Sequence, residues 1–280
     1  MIVSIQGRKG SFHHIAANNI IQQDYELLSR DTFREIFEDL KSEKADVGIV
    51  AIENSIAGSL SYNFDLLSEY RFPIVGEVFL RISHHLMALD GQSIEDLEQV
   101  WSHPMAIEQC RVFLRKHPHI KIVDQEDTAG SAERIANEQK TATAAIAGKL
   151  AAELYGLNVL SENIETDPNN YTRFLVFAKE PAKLKVPPET EYKTTLYTAI
   201  SHNPGSLVDF LLVLRKYGIN MSKIESRPRT GEPWHYDFYL DLAGKILPET
   251  HSALFKELQE KSTFLHILGA YPIVYSEFHT

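Results

Sequence analysis

The sequence predicts an α/β protein in two parts: a larger domain over residues 1–178 and a smaller βαββαβ module over residues 194–280. Three observations carry this. Short apolar runs alternate with longer helical patterns through the first 178 residues, the signature of α/β layering. Residues 179–193 hold Pro181, Pro187 and Pro188 among charges and show no apolar periodicity, as an interdomain linker does. After the linker, the order strand, helix, strand, strand, helix, strand is the ferredoxin-like plan.

In the larger domain the apolar runs at 2–5, 47–52, 99–101, 120–123, 144–147 and 173–177 read as strands. Helical patterns separate them, among them an amphipathic stretch over 105–114 that contains Cys110. The run from 74 to 82 continues toward 86–89 and is too long for one simple βα unit. It predicts a crossing between two lobes near 75–85, with the return through 157–177. In the smaller module, strands are expected at 196–200, 220–225, 234–242 and 265–275, with helices at 207–217 and 249–261.

Composition narrows the functional classes. At 280 residues, 44% hydrophobic and 24% charged, the chain is long enough for about two domains with a sizeable core. A formal net charge of −10 argues against a general nucleic-acid binder. No apolar stretch approaches the roughly 18 to 20 residues that span a bilayer, and the first residues read as a strand, not a signal peptide. The single cysteine rules out an intramolecular disulfide and suits a reducing compartment. A cytoplasmic protein with no membrane or nucleic-acid partner is the expectation.

The chemistry should lie at the turns that follow the strands, because ligands collect at the carboxyl ends of strands in open α/β sheets and helix N-termini favour anions. Five corners carry hydroxyls, amides or glycine: 7–12, 53–59, 102–104, 127–132 and 148. Any one of them also reads as an ordinary N-cap or tight turn. Near residue 170, Asn170, Tyr171, Thr172 and Arg173 head an apolar run, and polar groups there are costly unless they face a ligand. Other motifs fail. The 7–11 loop lacks the ending of a phosphate-binding loop and the third glycine of a dinucleotide fingerprint. His84-His85 and His117-Pro118-His119 lack zinc-site spacing and read as solvated. Ser102 and His103 are neighbours that should point apart, so a hydrolase triad is unsupported.

In order, these segments resemble the prephenate dehydratase family. Gly7-Arg8-Lys9-Gly10-Ser11-Phe12 is similar to its opening Gly-x-x-Gly-Ser/Thr-Phe-Ser motif, with His13 at the final serine. Val50-Ala51-Ile52-Glu53-Asn54-Ser55 resembles Val-Pro-Ile-Glu-Asn-Ser, with Ala51 replacing proline. The segment from Ser102 to Cys110 resembles Ser-His-Pro-Gln-Ala-Leu-x-Gln-Cys, with Met105 in place of glutamine. Asp127-Thr128-Ala129 and Asn170-Tyr171-Thr172-Arg173-Phe174 complete the series. Behind them, Asn203-Pro204-Gly205-Ser206-Leu207-Val208 and Glu225-Ser226-Arg227-Pro228 resemble the two ligand motifs of an ACT regulatory domain, with Ser206 replacing the usual alanine.

The resemblance implies a catalytic domain of the bilobal, type II periplasmic-binding-like fold and a ferredoxin-like ACT domain. It implies decarboxylating dehydration of prephenate to phenylpyruvate, with no metal or cofactor. Thr172 is the expected donor to the departing hydroxyl. Gly10, Ser11, Asn54, Ser55, Ser102, Thr128, Ser131, Asn170 and Phe174 are the expected substrate cradle, with Lys9 or backbone N–H groups near Gly10. Strand alternation puts Arg173 opposite Thr172, so it is either a carboxylate clamp on a twisted strand or a structural ion-pair partner. L-Phenylalanine is the expected inhibitor, bound at a subunit interface of a homodimer or homotetramer by Asn203 to Val208 and Glu225 to Pro228. Arogenate dehydration, or non-catalytic anion sensing on the same fold, are the alternatives.

Overall fold

The computed structural model describes residues 1–229 and 231–276. The chain begins β1 (Ile2–Gln6), α1 (Phe12–Ile20), β2 (Glu26–Arg30), α2 (Phe33–Lys41), β3 (Val47–Asn54), β4 (Gly58–Ser59) and α3 (Ser61–Tyr70). It continues through β5 (Ile74–Arg81), β6 (His85–Ala88), β7 (Gln99–Ser102), α4 (Pro104–Gln109), α5 (Arg111–Leu114) and β8 (Lys121–Asp124). Then come α6 (Thr128–Glu138), β9 (Thr143–Ala147), α7 (Lys149–Tyr155), β10 (Asn158–Ser161) and β11 (Tyr171–Ala178). The last third is β12 (Tyr192–Ala199), α8 (Ser206–Lys216), β13 (Met221–Pro228), β14 (Tyr236–Ala243), α9 (Ser252–Glu260) and β15 (Phe264–Ser276).

Two sheets divide these strands. One has the order β10-β6-β9-β7-β8; the other runs β13-β14-β12-β15-β5-β11-β3-β1-β2, with β4 added beside β3. The chain therefore leaves the larger sheet after β5 and returns at β11, which makes two lobes joined by two crossings. Strands β1, β2 and β3 are parallel, as are β7, β8 and β9, and β11 runs antiparallel to both neighbours. Their carboxyl ends carry the loops of interest.

Side-chain alternation explains the layers. On β11, Phe174 and Val176 pack with α1 through Ala16, Ala17 and Ile20, while Leu175 and Phe177 pack with α2 and α3. In the second lobe Ala144 and Ile146 of β9 meet Ala106 and Cys110, and Ala145 and Ala147 meet α6 and α7. Strands covered on both faces need apolar residues at every position, which is why β3 and β9 read as unbroken apolar runs.

The smaller module has the expected element order and the antiparallel order second, third, first, fourth strand. Phe210, Leu214, Leu254 and Leu258 of its helices cover one face. Tyr197, Tyr239 and Tyr271 on the other face join the core beneath β3 and β11. Three expectations need correction. The module's sheet is not separate, because Ile273–Ser276 of β15 pair in parallel with β5 and make one continuous sheet. The strand expected over 220–225 runs on as β13 to Pro228, so residues 225–228 are strand. The helix expected over 105–114 breaks at Cys110, whose φ of −105° and ψ of 11° separate α4 from α5. Part of the linker is also held in place: Leu184 bridges to Ile21 and packs on the first core. The module expected over 194–280 extends past the described residues, and 277–280 lie outside them.

Candidate active site

A bulge builds the centre of the site. Phe174 pairs with Ala51 and Arg173 with Glu53, so Ile52 is an extra residue in β3. Bulges re-aim side chains. Beyond this one, Glu53 falls in register with Arg173 and Asn54 with Thr172. The Asn54 amide then donates to the Asn170 Oδ1 (2.7 Å), to the Thr172 Oγ1 (2.9 Å) and to the Tyr171 carbonyl (3.2 Å). Its own Oδ1 accepts from the backbone N–H of Ile56 (3.0 Å) and Ala57 (2.8 Å), which fixes the amide's orientation. Ser55 laces the same corner, donating to the Asn169 carbonyl and accepting from the Tyr171 N–H.

Asn54 uses the acceptor side of the Thr172 hydroxyl. Among the described residues no acceptor takes the hydroxyl proton, and the Asn170 Nδ2 is buried without a partner. Two donors are thus left unspent at the mouth of β11, in a setting where an unmet polar group is expensive. This is the chemical content of the site.

The other corners hold the lobes together. Ser11 caps α1, accepting from the His14 N–H at 3.4 Å, and the Gly10 N–H donates to the His14 Nδ1 at 3.0 Å. Gly10 adopts φ +86°, and a Cβ there would lie 2.9 Å from the Cα of Ala151 in the second lobe. Only glycine permits that approach. The Tyr155 hydroxyl donates to the Lys9 carbonyl (2.8 Å), and Gly148 abuts Phe12 and Ile15. In the second lobe Ser102 is buried and donates to the Ile146 carbonyl (2.6 Å), while Ser131 donates back to the Asp127 carbonyl (2.7 Å). Thr128 opens α6 behind its N-cap, Asp127. His103 accepts from the Met105 N–H, so it does not serve Ser102.

Arg173 sits away from Thr172. It is buried against Glu77 and Asp241, with its Nη1 2.7 Å from the Asp241 Oδ2, and reaches the Tyr271 hydroxyl at 3.4 Å. Of the two roles open to it, the structure occupies the ion-pair one. Phe174 is core, set edge-on to the His13 ring at 4.9 Å. The His84 and His85 pair is buried, contrary to the solvated reading; burial lowers the pKa of both, and the His84 Nε2 lies 2.9 Å from the Gln109 Oε1. His13 is also buried and pushed down to about 3 by desolvation, so its neutral Nε2 accepts the Ala51 N–H at 3.2 Å. A proline at 51 would have no N–H to give. The two departures at 13 and 51 therefore form a contact.

The network around Arg173 was missed from sequence. Its one visible signal was an acid amid apolar residues, Tyr239-Leu240-Asp241-Leu242. Among the described residues no group of three or more His, Cys, Asp or Glu could hold a metal ion, and no helix is long and apolar enough to cross a membrane.

In the smaller module a cavity of about 430 Å³ is lined by Asn203, Pro204, Gly205, Ser206, Leu207 and Val208, closed by Arg229, Tyr236 and Phe238. The other expected ligand segment lies elsewhere on the same chain. Glu225 accepts from the Ser59 hydroxyl (2.8 Å), and Arg227 grips both oxygens of Asp65 at 2.9 Å. Ser226 and Pro228 alternate with them on the exposed face of β13.

Comparison with known proteins bears on this geometry. The family model described as prephenate dehydratase matches residues 3–182. A bifunctional chorismate mutase/prephenate dehydratase from Aquifex aeolicus is 39% identical over 271 residues, covering 96% of this chain and 73% of the relative. The solved structure of a prephenate dehydratase from Arthrobacter aurescens in complex with L-Phe is 28% identical with a TM-score of 0.84, covering 97% of this chain and 89% of its own. GqqA, a solved quorum-quenching acylase, is 32% identical with a TM-score of 0.85 and covers 98% of each chain. With the family model spanning well over half of its length, and with that identity to a curated relative, the chain belongs to the prephenate dehydratase family.

Proposed function

We propose that the chain converts prephenate to phenylpyruvate, carbon dioxide and water, with Thr172 as the donor to the leaving hydroxyl. The single observation that carries this is the Thr172 hydroxyl: Asn54 donates to its oxygen at 2.9 Å, and among the described residues no acceptor takes its proton. As the ring carboxylate departs as carbon dioxide, its electron pair enters the ring and the C–OH bond breaks. The departing hydroxide takes a proton through the Thr172 hydroxyl, which water reprotonates, and leaves as water. Aromatisation supplies the driving force, so the protein needs to position the dianion and stabilise the leaving oxygen. Asn54 fixes where the hydroxyl points, and the Asn170 Nδ2 offers a second donor. Lobe closure across Gly10 and Ala151 would exclude water and strengthen these contacts.

The smaller module is read as an ACT domain that binds L-phenylalanine. The 430 Å³ cavity beside Asn203–Val208 supports it. Glu225 and Arg227 face their own catalytic lobe, so Ser226 and Pro228 would meet ligand on a second copy, which favours a homodimer or a homotetramer of dimers. The test is phenylpyruvate absorbance in alkali after mixing prephenate with chelator-dialysed protein, with arogenate in parallel. Prephenate bound but never converted would leave the anion-sensor reading; preferential turnover of arogenate would reassign the substrate. Calorimetry with L-phenylalanine should show binding that Gly205→Leu weakens while basal turnover stays.

A further inference from the structure

The residues beside the reacting pair are tied to the smaller module. Glu53 precedes Asn54, and its Oε1 lies 3.0 Å from the Lys223 Nζ of β13. Arg173 follows Thr172 and holds Asp241 of β14 at 2.7 Å. Glu53 and Arg173 approach each other at 3.9 Å across the bulge. The chain of charges goes on: Arg173 pairs with Glu77 of β5, which Lys193 of β12 meets at 2.8 Å. The Thr195 hydroxyl, also on β12, donates to the Asp241 Oδ1 at 2.6 Å and contacts the Tyr271 hydroxyl of β15 at 2.6 Å. All four strands of the smaller module's sheet take part. Three cations, Lys193, Arg173 and Lys223, meet four anions, Glu53, Glu77, Asp241 and Glu225.

Arg173, Glu77, Asp241 and Lys193 are all buried. A buried charge whose partner is lost cannot stay where it is without a large penalty, so the backbone that carries it must shift. Arg173 carries such a buried charge one peptide from Thr172, while Glu53, partly exposed and 3.9 Å from Arg173, is held by Lys223 one peptide from Asn54. A displacement of about 1 Å at a reacting group can cost about 10²-fold in rate. We propose that Lys223 and Asp241 are positioning residues for the elimination, holding Glu53 and Arg173 so that the bulge presents Asn54 and Thr172 in register. The catalytic centre is in this sense completed by the smaller module. This rests on the reading of Asn54 and Thr172 as the reacting pair.

The test uses the full chain with Lys223→Met, Lys223→Arg and Asp241→Asn. Two readouts are taken: steady-state turnover of prephenate, and the NMR signal of the Asn54 side-chain amide, identified by its loss in Asn54→Asp. Lys223→Met should lower kcat about 10- to 100-fold with KM within about threefold, and should move the amide signal. Lys223→Arg should retain both. Asp241→Asn should behave like Lys223→Met if it folds; Lys223, being nearer the surface, keeps the test open if it does not. A folded Lys223→Met with wild-type kcat and an unmoved amide overturns the proposal. A wild-type chain that turns over no prephenate overturns the functional reading instead, and the amide signal still decides whether Lys223 positions Asn54.

Discussion

The two lobes carry similar residues at the ends of their strands and use them differently. At the carboxyl edge of the second lobe, Ser102 and Ser131 spend their hydroxyl protons on their own backbone. At the edge of the first lobe, Asn54 satisfies the oxygen of Thr172, and among the described residues nothing takes the Thr172 proton or the buried Asn170 amide. A hydroxyl in a family motif is therefore not by itself a ligand contact. On the mechanism proposed above, Thr172 differs from Ser102 and Ser131 in that the fold has not already used its hydroxyl proton.

The largest effect expected from this contrast is at Thr172. Thr172→Ala should lower kcat by on the order of 10²-fold or more, Thr172→Ser should keep more activity, and KM should change little. Near-normal kcat in the alanine variant would remove Thr172 from the mechanism. Asn54→Ala should cost about 10-fold or more in kcat through loss of that orientation. Combined with Thr172→Ala it should cost little further, because the two act as a unit; full additivity of the two losses would break the pairing.

Histidine burial in the first lobe gives the next effect, on stability. His13 is lowered to about 3 from 6.5, so the unfolded chain binds the extra proton between those values. Stability contributed by neutral His13 is therefore complete above pH 6.5 and declines as pH falls toward 3. Between pH 7.5 and 5.5 this one group should account for a loss of about 1.4 kcal/mol. Urea unfolding of His13→Asn at the two pH values should show a pH dependence smaller by that amount; an unchanged slope would mean His13 is not buried neutral. Smallest is the second lobe. Ser102→Ala and Ser131→Ala should leave kcat within about threefold, while Ser102→Ala should cost about 1 kcal/mol of stability by removing the buried hydrogen bond to the Ile146 carbonyl. A hundredfold drop in kcat at Ser102 would erase the contrast between the lobes.

Much of this was legible beforehand. Apolar runs marked β1, β3, β9 and β11, because strands buried on two faces admit little else. The proline-bearing stretch after β11 and the βαββαβ order marked the smaller module. The motif order pointed to Asn54, Asn170 and Thr172, since polar groups at a buried strand's end require a partner. What stayed hidden depends on register. The bulge at Ile52 has no sequence signature, yet it decides that Asn54, not Glu53, meets Thr172. Arg173 could be narrowed to two roles by alternation but not assigned to Asp241, whose strand lies far along the chain. The burial of His84 and His85 follows from their place at a lobe crossing, which spacing rules for metals do not address.

The last four residues of β15, Ile273–Ser276, cover the open side of β5 in a sheet begun at the other end of the chain. Gly269 makes this fit possible, since a Cβ there would collide with the Ile74 carbonyl. The segments β5 and β15 are about 190 residues apart. At a ribosomal pace of about 5–20 residues per second, β5 is born ~10–40 s before its neighbour. Through that interval an apolar strand edge stands open to any passing chain. Chaperone dependence during synthesis, measured as the aggregated fraction when translation is slowed, should therefore rise with the delay between these two strands.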